Sequence, residues 1–233
     1  MLILGIDTCC MPAGAAVYDG EKIAGEFMIN NGMTHSQKIM PMIAEMMKQL
    51  GLSPKNIDCF AVAAGPGSFT GVRIGAATIK ALAHAAGAPC AAVSTLEALA
   101  NNVRFFDGVI CPILDARRNQ VYTACFSGDG SLTRLTDDRA MALDSLLDEL
   151  EGKNALFLGD GVLTYRDEIR SRMGSMAKFA DAGSLLNSAA SVAYLGGKMY
   201  EQGETVSYSE LVPNYIRLSQ AERERKEKLG ETL

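Results

Sequence analysis

The sequence predicts an α/β protein of two lobes, each built on a mixed β-sheet flanked by helices. Apolar strands and helices alternate along the chain, which is typical of this class. The strand Ile3–Asp7 is echoed by Cys111–Asp115, because both are short, apolar and end on an aspartate. A glycine-rich loop, residues 65–71, joins a predicted strand to a predicted helix. We place the boundary near Arg104, which gives an N-terminal lobe of residues 1–103 and a C-terminal lobe of residues 104–233.

The elements of the first lobe follow from turn and periodicity signals. Asp19 and Gly20 predict a hairpin turn, and Gly51 predicts the end of a long helix. The predicted strands are residues 1–6, 14–18, 22–29, 57–64 and 91–93. The predicted helices are residues 34–50, capped by Thr34 or Ser36, 71–86 and 95–101.

The second lobe repeats part of this order. After Asp115 we expect a β-rich run over residues 122–126, in the place that residues 15–18 take in the first lobe. Further along, the apolar pattern predicts a helix at 143–150, a strand at 155–158 and a helix at 188–200. The mixed-charge tail, residues 220–228, is helical by propensity.

Composition excludes several classes of protein. The net charge of -5 is spread along the chain without a basic stripe, so unaided nucleic-acid binding is not expected. The most apolar long run, residues 74–93, is interrupted by Lys80 and Pro89 and cannot span a membrane. The first residues form an apolar strand without a basic leader, so we expect a cytoplasmic protein. The six cysteines form no C-x-x-C pair and predict free, mostly buried thiols.

The turns after the two aspartate-ended strands predict a cleft between the lobes. An aspartate in such a turn can hold a hydrated metal ion or orient water, and an arginine can bind phosphate as a planar fork. Strand-end aspartates also cap turns routinely, and arginines there often pair with surface acids. Both interpretations remain open for a candidate nucleotide cleft formed by Asp7, Thr8, Gly65, Gly67, Ser68, Asp115 and Arg118, with Arg117 as the alternative arginine.

The glycine-rich loop leads into a helix N-terminus, which is a common anion-binding position. No Gly-Lys-Ser or Gly-Lys-Thr follows it, so it is not a phosphate-binding P-loop. The small residues Gly71, Gly75, Ala76 and Ala83 would let this helix approach another backbone closely. We favour close packing over phosphate binding.

The helix at residues 34–50 carries an apolar stripe wider than a core-facing helix requires. Methionines are common both in binding grooves and in cores, so the stripe predicts either an interaction surface or a buried helix. We find no catalytic set and no metal site. The two histidines, His35 and His84, lack partners at a metal-binding spacing, and no Gly-x-Ser-x-Gly elbow is present.

Five stretches, in this order and spacing, resemble the TsaB family, also called YeaZ. They are residues 4–8, 65–75, 94–100, 115–118 and 213–217, with 35–37 and 159–161 similar as well. The resemblance spans nearly the whole chain. It implies an actin-like (ASKHA) fold and a role in forming N6-threonylcarbamoyladenosine at position 37 of tRNA.

In that family the catalytic subunit is the paralogue TsaD, the ATPase TsaE assists turnover, and TsaB is a noncatalytic scaffold. The resemblance therefore implies TsaD and TsaE as partners, contact with tRNA only through the complex, and no cofactor beyond weak or complex-dependent ATP or ADP binding. TsaD binds a metal with two histidines, whose positions are occupied here by Thr95 and Leu99. Cys9 and Cys10 replace the usual Thr-Ser after Asp7, a departure that bears on any hydroxyl contact to a nucleotide.

The family docks through its first two helices, which implies an interface on the helices that flank the glycine-rich loop. The expected interface residues are His35, Ile39, Met40, Met42, Ile43, Met46, Met47, Val72, Gly75, Ala76, Ile79 and Ala83. A homodimer through the same surface is a competing arrangement. The alternative function is an actin-like phosphotransferase or hydrolase, or a metalloprotease, acting through Asp7 and Asp115.

Overall fold

The computed structural model describes residues 1–32 and 34–217 and contains two mixed β-sheets flanked by helices, as predicted. The first sheet has the order β3-β2-β1-β4-β5, with β1 antiparallel to β2 and parallel to β4. Its strands are β1 (Ile3–Asp7), β2 (Ala13–Tyr18), β3 (Ile23–Ile29), β4 (Cys59–Ala63) and β5 (Cys90–Val93). Helices α1 (His35–Leu50) and α2 (Phe69–Ala86) cover one face of this sheet and share a buried core with it.

The second sheet has the order β10-β7-β6-β11-β12, and a hairpin of β8 and β9 pairs with β6. Its strands are β6 (Phe105–Asp115), β7 (Gln120–Thr123), β8 (Phe126–Asp129), β9 (Leu132–Arg134), β10 (Arg139–Ala142), β11 (Ala155–Leu158) and β12 (Ala177–Phe179). The remaining helices are α3 (Thr95–Ala100), α4 (Leu143–Glu149), α5 (Gly161–Met173) and α6 (Ala189–Gln202).

Helix α6 packs on the face of the first sheet opposite to α1 and α2. The approach is very close, since a Cβ atom on Gly5 of β1 would lie 2.4 Å from the backbone nitrogen of Ala193. The second half of the chain therefore forms the second sheet and also packs against the first. The division into lobes at residue 104 stays a prediction.

The predicted elements of the first lobe are present with ends shifted by a few residues. The predictions for the second lobe were incomplete, because β9, β10, α5 and β12 were missed. The predicted run at 122–126 is broken, since β7 ends at Thr123 and β8 begins at Phe126. The helix predicted at residues 220–228 lies outside the described residues.

All six cysteines are buried and free. Within residues 1–32 and 34–217, no helix has the length and apolar character needed to cross a bilayer.

Candidate functional site

A cleft of about 650 Å³ lies between the turns that follow β1 and β6. Four segments form its walls: the turn after β1, the glycine-rich loop with the start of α2, the turn after β6 with the start of α5, and the chain near residue 215. The lining residues are Cys9, Cys10, Met11, Pro66, Gly67, Ser68, Phe69, Thr70, Val72, Leu114, Asp115, Ala116, Arg117, Tyr122, Asp160, Leu163, Thr164, Asn214, Tyr215, Ile216 and Arg217.

Asp7 lies behind the cleft wall and does not line it. Its side chain is buried, and both carboxylate oxygens accept hydrogen bonds: Oδ1 from the N–H of Cys9 at 2.8 Å and Oδ2 from Nδ2 of Asn187 at 2.8 Å. Burial raises the pKa of Asp7 above its usual value, although these hydrogen bonds act in the opposite direction. The carboxylate therefore organises the turn after β1.

The glycine-rich loop is pressed against that turn. A Cβ atom on Gly71 would lie 2.0 Å from the carbonyl oxygen of Thr8, and one on Gly67 would lie 2.5 Å from that of Cys9. The Thr8 hydroxyl donates to the carbonyl oxygen of Gly71 at 2.7 Å. Thr8 is fully buried, so its hydroxyl serves this contact and does not reach the cleft.

Several donors of the loop are already used within the protein. The N–H of Ser68 donates to the Cys9 carbonyl oxygen at 2.7 Å, and the Ser68 hydroxyl accepts the N–H of Gly71 at 3.3 Å as the cap of α2. The N–H of Gly65 donates to the hydroxyl of Thr95 at 3.2 Å. Gly67 and Ser68 reach the cleft, but this hydrogen-bonding pattern is that of a packed loop, and it leaves few donors for a phosphate.

Thr95 and Leu99 are both fully buried. Besides accepting from Gly65, Thr95 donates its own N–H to the Gly65 carbonyl oxygen at 2.9 Å, so it holds the loop at two points. Leu99 belongs to the apolar core and packs against Gly159. These residues do not fit a metal, and the part of the chain that the structure describes contains no group of three His, Cys, Asp or Glu that could bind one.

Asp115, the last residue of β6, does line the cleft. Its Oδ1 accepts the N–H of Arg117 at 2.8 Å and the hydroxyl of Tyr165 at 3.1 Å, and its own N–H donates to Asp160 at 3.1 Å. Burial raises the pKa of Asp160, and burial together with the hydrogen bond to Asp115 raises that of Tyr165 to about 12. The cleft thus has two acidic side chains on its C-terminal wall.

The arginines after Asp115 differ in position. Arg117 lines the cleft and pairs with Asp115 at 3.4 Å, whereas Arg118 is exposed and is not part of the lining. Arg117, Arg118 and Asn119 all adopt left-handed backbone angles, with φ of 66°, 55° and 55°. Such angles cost a non-glycine residue roughly 1–2 kcal/mol each, so this turn is strained.

The segment 213–217 crosses from one wall of the cleft to the other. Asn214 donates its N–H to Ala64 at 2.7 Å, and the Tyr215 ring stacks on Phe69 with centroids 4.9 Å apart. At the other end, Arg217 donates to the carbonyl oxygen of Ala116 at 3.1 Å. In the sequence this segment stood out only through the family resemblance, since no periodicity predicts such a crossing.

Most residues expected at a partner interface lie in the chain's own core. Ten of the twelve are buried against the sheet or between the two helices: Ile39, Met42, Ile43, Met46, Met47, Val72, Gly75, Ala76, Ile79 and Ala83. His35 is partly buried with Nε2 2.8 Å from the Cys10 carbonyl oxygen, and Met40 is 44% exposed. The wide stripe of α1 is therefore a core feature.

The outer surface of the two helices carries exposed alanines among polar and charged side chains such as Glu45, Lys48 and Arg73. Ala44 on α1 and Ala77 and Ala81 on α2 are exposed, and Met40 lies one turn before Ala44. We call these four residues the α1–α2 ridge. Small side chains permit close approach of another helix.

Comparison with known proteins identifies relatives over almost the full length. A family model described as "TsaD: tRNA N6-adenosine threonylcarbamoyltransferase" matches residues 32–224. The tRNA threonylcarbamoyladenosine biosynthesis protein TsaB of Bacillus subtilis is 35% identical over 225 residues, which are 95% of this chain and 96% of that protein.

Solved structures agree. YeaZ from Pseudomonas aeruginosa has a TM-score of 0.76 at 25% identity, covering 92% of this chain and 99% of that one. The ROK hexokinase from Thermus thermophilus has a TM-score of 0.51 at 12% identity, covering 84% and 99%, and this likeness concerns the fold alone. The predicted resemblance and the actin-like fold are both confirmed.

Proposed function

Because this chain belongs to the TsaB (YeaZ) branch of the TsaD family, we propose that it is a noncatalytic scaffold that docks TsaD and TsaE during threonylcarbamoyladenosine formation on tRNA. Family membership itself supports the coarser statement, a role in forming this modified nucleoside. We further propose that the protein works in the cytoplasm and contacts tRNA only through the complex.

The observation that carries the noncatalytic role is the environment of Thr95 and Leu99. Both positions are fully buried, and neither side chain is a metal ligand. Thr95 instead holds Gly65, and Leu99 fills the core. Metal-dependent transfer then depends on the partner that carries the ligands.

The α1–α2 ridge is the docking surface that we propose for TsaD. A partner of the same fold presents a corresponding pair of helices, and the exposed alanines allow helices to pack at close distance. Met40 supplies a flexible apolar side chain that adapts to the partner. A second copy of this chain competes for the same surface, which makes a homodimer the expected state when the chain is alone.

For nucleotides, we propose that ATP or ADP binds the cleft weakly, or only within the complex. Arg117 and Arg217 line the cleft and can face a phosphate, which supports this proposal. Two acids, Asp115 and Asp160, lie on the same wall and weaken anion binding. A partner that places further positively charged side chains at the cleft would make phosphate binding favourable.

The test is reconstitution of tRNA modification from purified TsaD, TsaE and the enzyme that supplies the threonylcarbamoyl donor, with and without this chain. We expect modification only when the chain is present, and no ATP turnover by the chain alone. Ala77→Glu places a charge on the ridge and should reduce modification at least tenfold while the chain stays folded, as judged by its circular dichroism spectrum. Ala182→Glu, at an exposed alanine away from the ridge, is the matched control and should have no effect.

The alternative is catalysis by the chain itself through Asp7 and Asp115. Turnover by the isolated chain, lost in Asp115→Asn and retained in Ala77→Glu, would establish that alternative and end the scaffold proposal. Size-exclusion chromatography of the chain alone and with TsaD distinguishes the homodimer from the heteromer. Failure of TsaD to displace the homodimer would contradict the shared surface.

A further inference from the structure

Two buried cysteines, Cys111 and Cys125, stand opposite each other where strand β6 meets the β7–β8 segment. Ile113 is opposite Thr123, and Ile110 is opposite Phe126, so the same register brings the two cysteines together. The backbone ladder is interrupted there, because the N–H of Cys125 donates to the hydroxyl of Thr136 at 2.8 Å. The thiols therefore face each other at a gap in the sheet.

The thiols also contact each other. The hydrogen bond from Cys111 stabilises the thiolate form of Cys125 and, with Arg139, lowers the pKa of Cys125 to about 7 against the opposing effect of burial. The same hydrogen bond and burial raise the pKa of Cys111. Sγ of Cys111 also lies 3.5 Å from the hydroxyl of Thr123. The pair thus combines one thiol that ionises easily with one that stays protonated, the usual division between an attacking and a resolving cysteine.

Arg139 provides the positive charge at this site. Its terminal nitrogens bind the carboxylate of Glu149, while its Nε is buried and has no hydrogen-bond partner among the described residues. A buried hydrogen-bond donor without an acceptor destabilises the folded state, and an acceptor that is present for part of the time reduces this destabilisation. A thiolate at Cys125 supplies negative charge beside this guanidinium.

A second cysteine pair in the same chain lacks these features. Cys59 on β4 and Cys90 on β5 are near each other on adjacent strands, with Cys90 opposite Phe60. Burial raises the pKa of Cys59 to about 12 and that of Cys90 to about 11. Closeness and burial alone therefore give unreactive thiols. What distinguishes Cys125 is the hydrogen bond from Cys111 and the positive charge of Arg139.

We propose that Cys111 and Cys125 form a two-electron redox pair, which a small hydroperoxide oxidises to an intramolecular disulfide and a dithiol reduces. The Cys125 thiolate attacks a peroxide oxygen, an S–O bond forms, the O–O bond breaks, and hydroxide leaves as water after protonation. Cys111 then attacks the sulfenic sulfur, an S–S bond forms, the S–O bond breaks, and the hydroxide leaves as water with the proton of Cys111. A dithiol reverses the reaction by thiol–disulfide exchange.

The covering segment permits access for a small oxidant. Residues 135–138, between β9 and β10, lie over Cys125 and form no strand. Cys125 is 6% exposed and Leu135 in the cover is 53% exposed. Peroxide is small enough to enter by a local opening of this segment, whereas bulky reagents are excluded.

The test uses the folded full-length chain treated with a few equivalents of hydrogen peroxide, cleared of peroxide with catalase, alkylated in urea and digested with trypsin without reductant. Cys111 and Cys125 fall on separate tryptic peptides, because Arg117 and Arg118 lie between them. We expect the two peptides to be cross-linked, the link to disappear with dithiothreitol, and Cys59 and Cys90 to stay alkylated as free thiols. The rate of disulfide formation should rise as the pH passes about 7, the pKa of Cys125. The groups around Cys125 that determine this pKa are Cys111, Arg139, Glu149 and Thr136.

Variants assign the two roles. Cys111→Ser should stop the reaction at a sulfenic acid on Cys125, which dimedone traps when the chain is unfolded in urea after removal of the peroxide, and the control Cys59→Ser should keep the cross-link. The proposal is overturned if the folded wild-type chain forms no link between Cys111 and Cys125, if Cys59 and Cys90 are oxidised equally fast, or if the link forms only in urea. The wild-type and Cys59→Ser results decide the matter even where Cys111→Ser fails to fold.

Discussion

The turns that follow β1 and β6 occupy corresponding places in the two halves of the chain and both border the cleft, yet only one of the two strand-end aspartates lines it. Asp7 is sealed behind the glycine-rich loop with both carboxylate oxygens bonded within the protein. Asp115 lines the cleft, and the turn after it holds Arg117, Arg118 and Asn119 in left-handed conformation. The same strand-end aspartate can therefore stabilise internal packing in one lobe, as Asp7 does, and border an open cleft beside a strained turn in the other, as Asp115 does.

The largest effect is expected where the glycine-rich loop packs against the turn after β1. In Gly71→Ala the new Cβ would lie 2.0 Å from the carbonyl oxygen of Thr8, so the loop and the turn must separate. We expect a loss of about 3 kcal/mol in the free energy of unfolding, measured by urea denaturation. Gly183→Ala is the matched control, because a Cβ there meets nothing within 4 Å, and it should change stability by less than about 0.5 kcal/mol. Equal effects of the two substitutions would contradict the sealed turn.

The next prediction compares the two aspartates directly. Asp7→Ala leaves the N–H of Cys9 and Nδ2 of Asn187 without partners in a dry interior and should cost about 3 kcal/mol. Asp115→Ala removes hydrogen bonds at the cleft wall, where water can replace them, and should cost about 1 kcal/mol. Urea denaturation at neutral pH measures both losses. A larger loss for Asp115→Ala would reverse the roles that the geometry gives to the two turns.

How far the sequence predicts this arrangement depends on how many residues separate the contacting groups along the chain. The repeat of Ile3–Asp7 in Cys111–Asp115 and the helix ending at Gly51 are local patterns, and they predicted the fold class and the first lobe. The hydrogen bond between Asp7 and Asn187 joins residues 180 positions apart, and no local pattern predicts it. Helix α5 was missed because its charged residues leave a weak apolar periodicity.

The candidate interface shows the same limit. The apolar stripe of α1 is visible in the sequence, but periodicity does not reveal whether a sheet, a neighbouring helix or a partner covers it. In the structure the sheet and α2 cover Ile43 and Met46, which leaves Met40 and the alanines of the ridge outside. The crossing of residues 213–217 over the cleft likewise depends on tertiary contacts alone.

The smallest expected effect is the pH dependence of stability at Asp7. Because burial raises the pKa of this carboxyl in the folded chain above the reference value of 3.8, the folded state holds the proton more tightly than the unfolded state does. The contribution of Asp7 is therefore fully present below pH 3.8 and is lost as the pH rises through the folded pKa. Asp7→Asn keeps the size of the side chain and removes this titration, and Asn187 can rotate its amide to present Oδ1, which has no partner among the described residues.

We therefore expect the stability of Asp7→Asn relative to the wild type to increase as the pH rises from about 4 to 7, as measured by urea denaturation at each pH. Asp181→Asn, at an exposed position, controls for the loss of one negative charge and should track the wild type. If the stability of Asp7→Asn relative to the wild type falls over this range, the folded protein stabilises the ionised form of Asp7. The hydrogen bonds from Cys9 and Asn187 would then outweigh the cost of burying the charge.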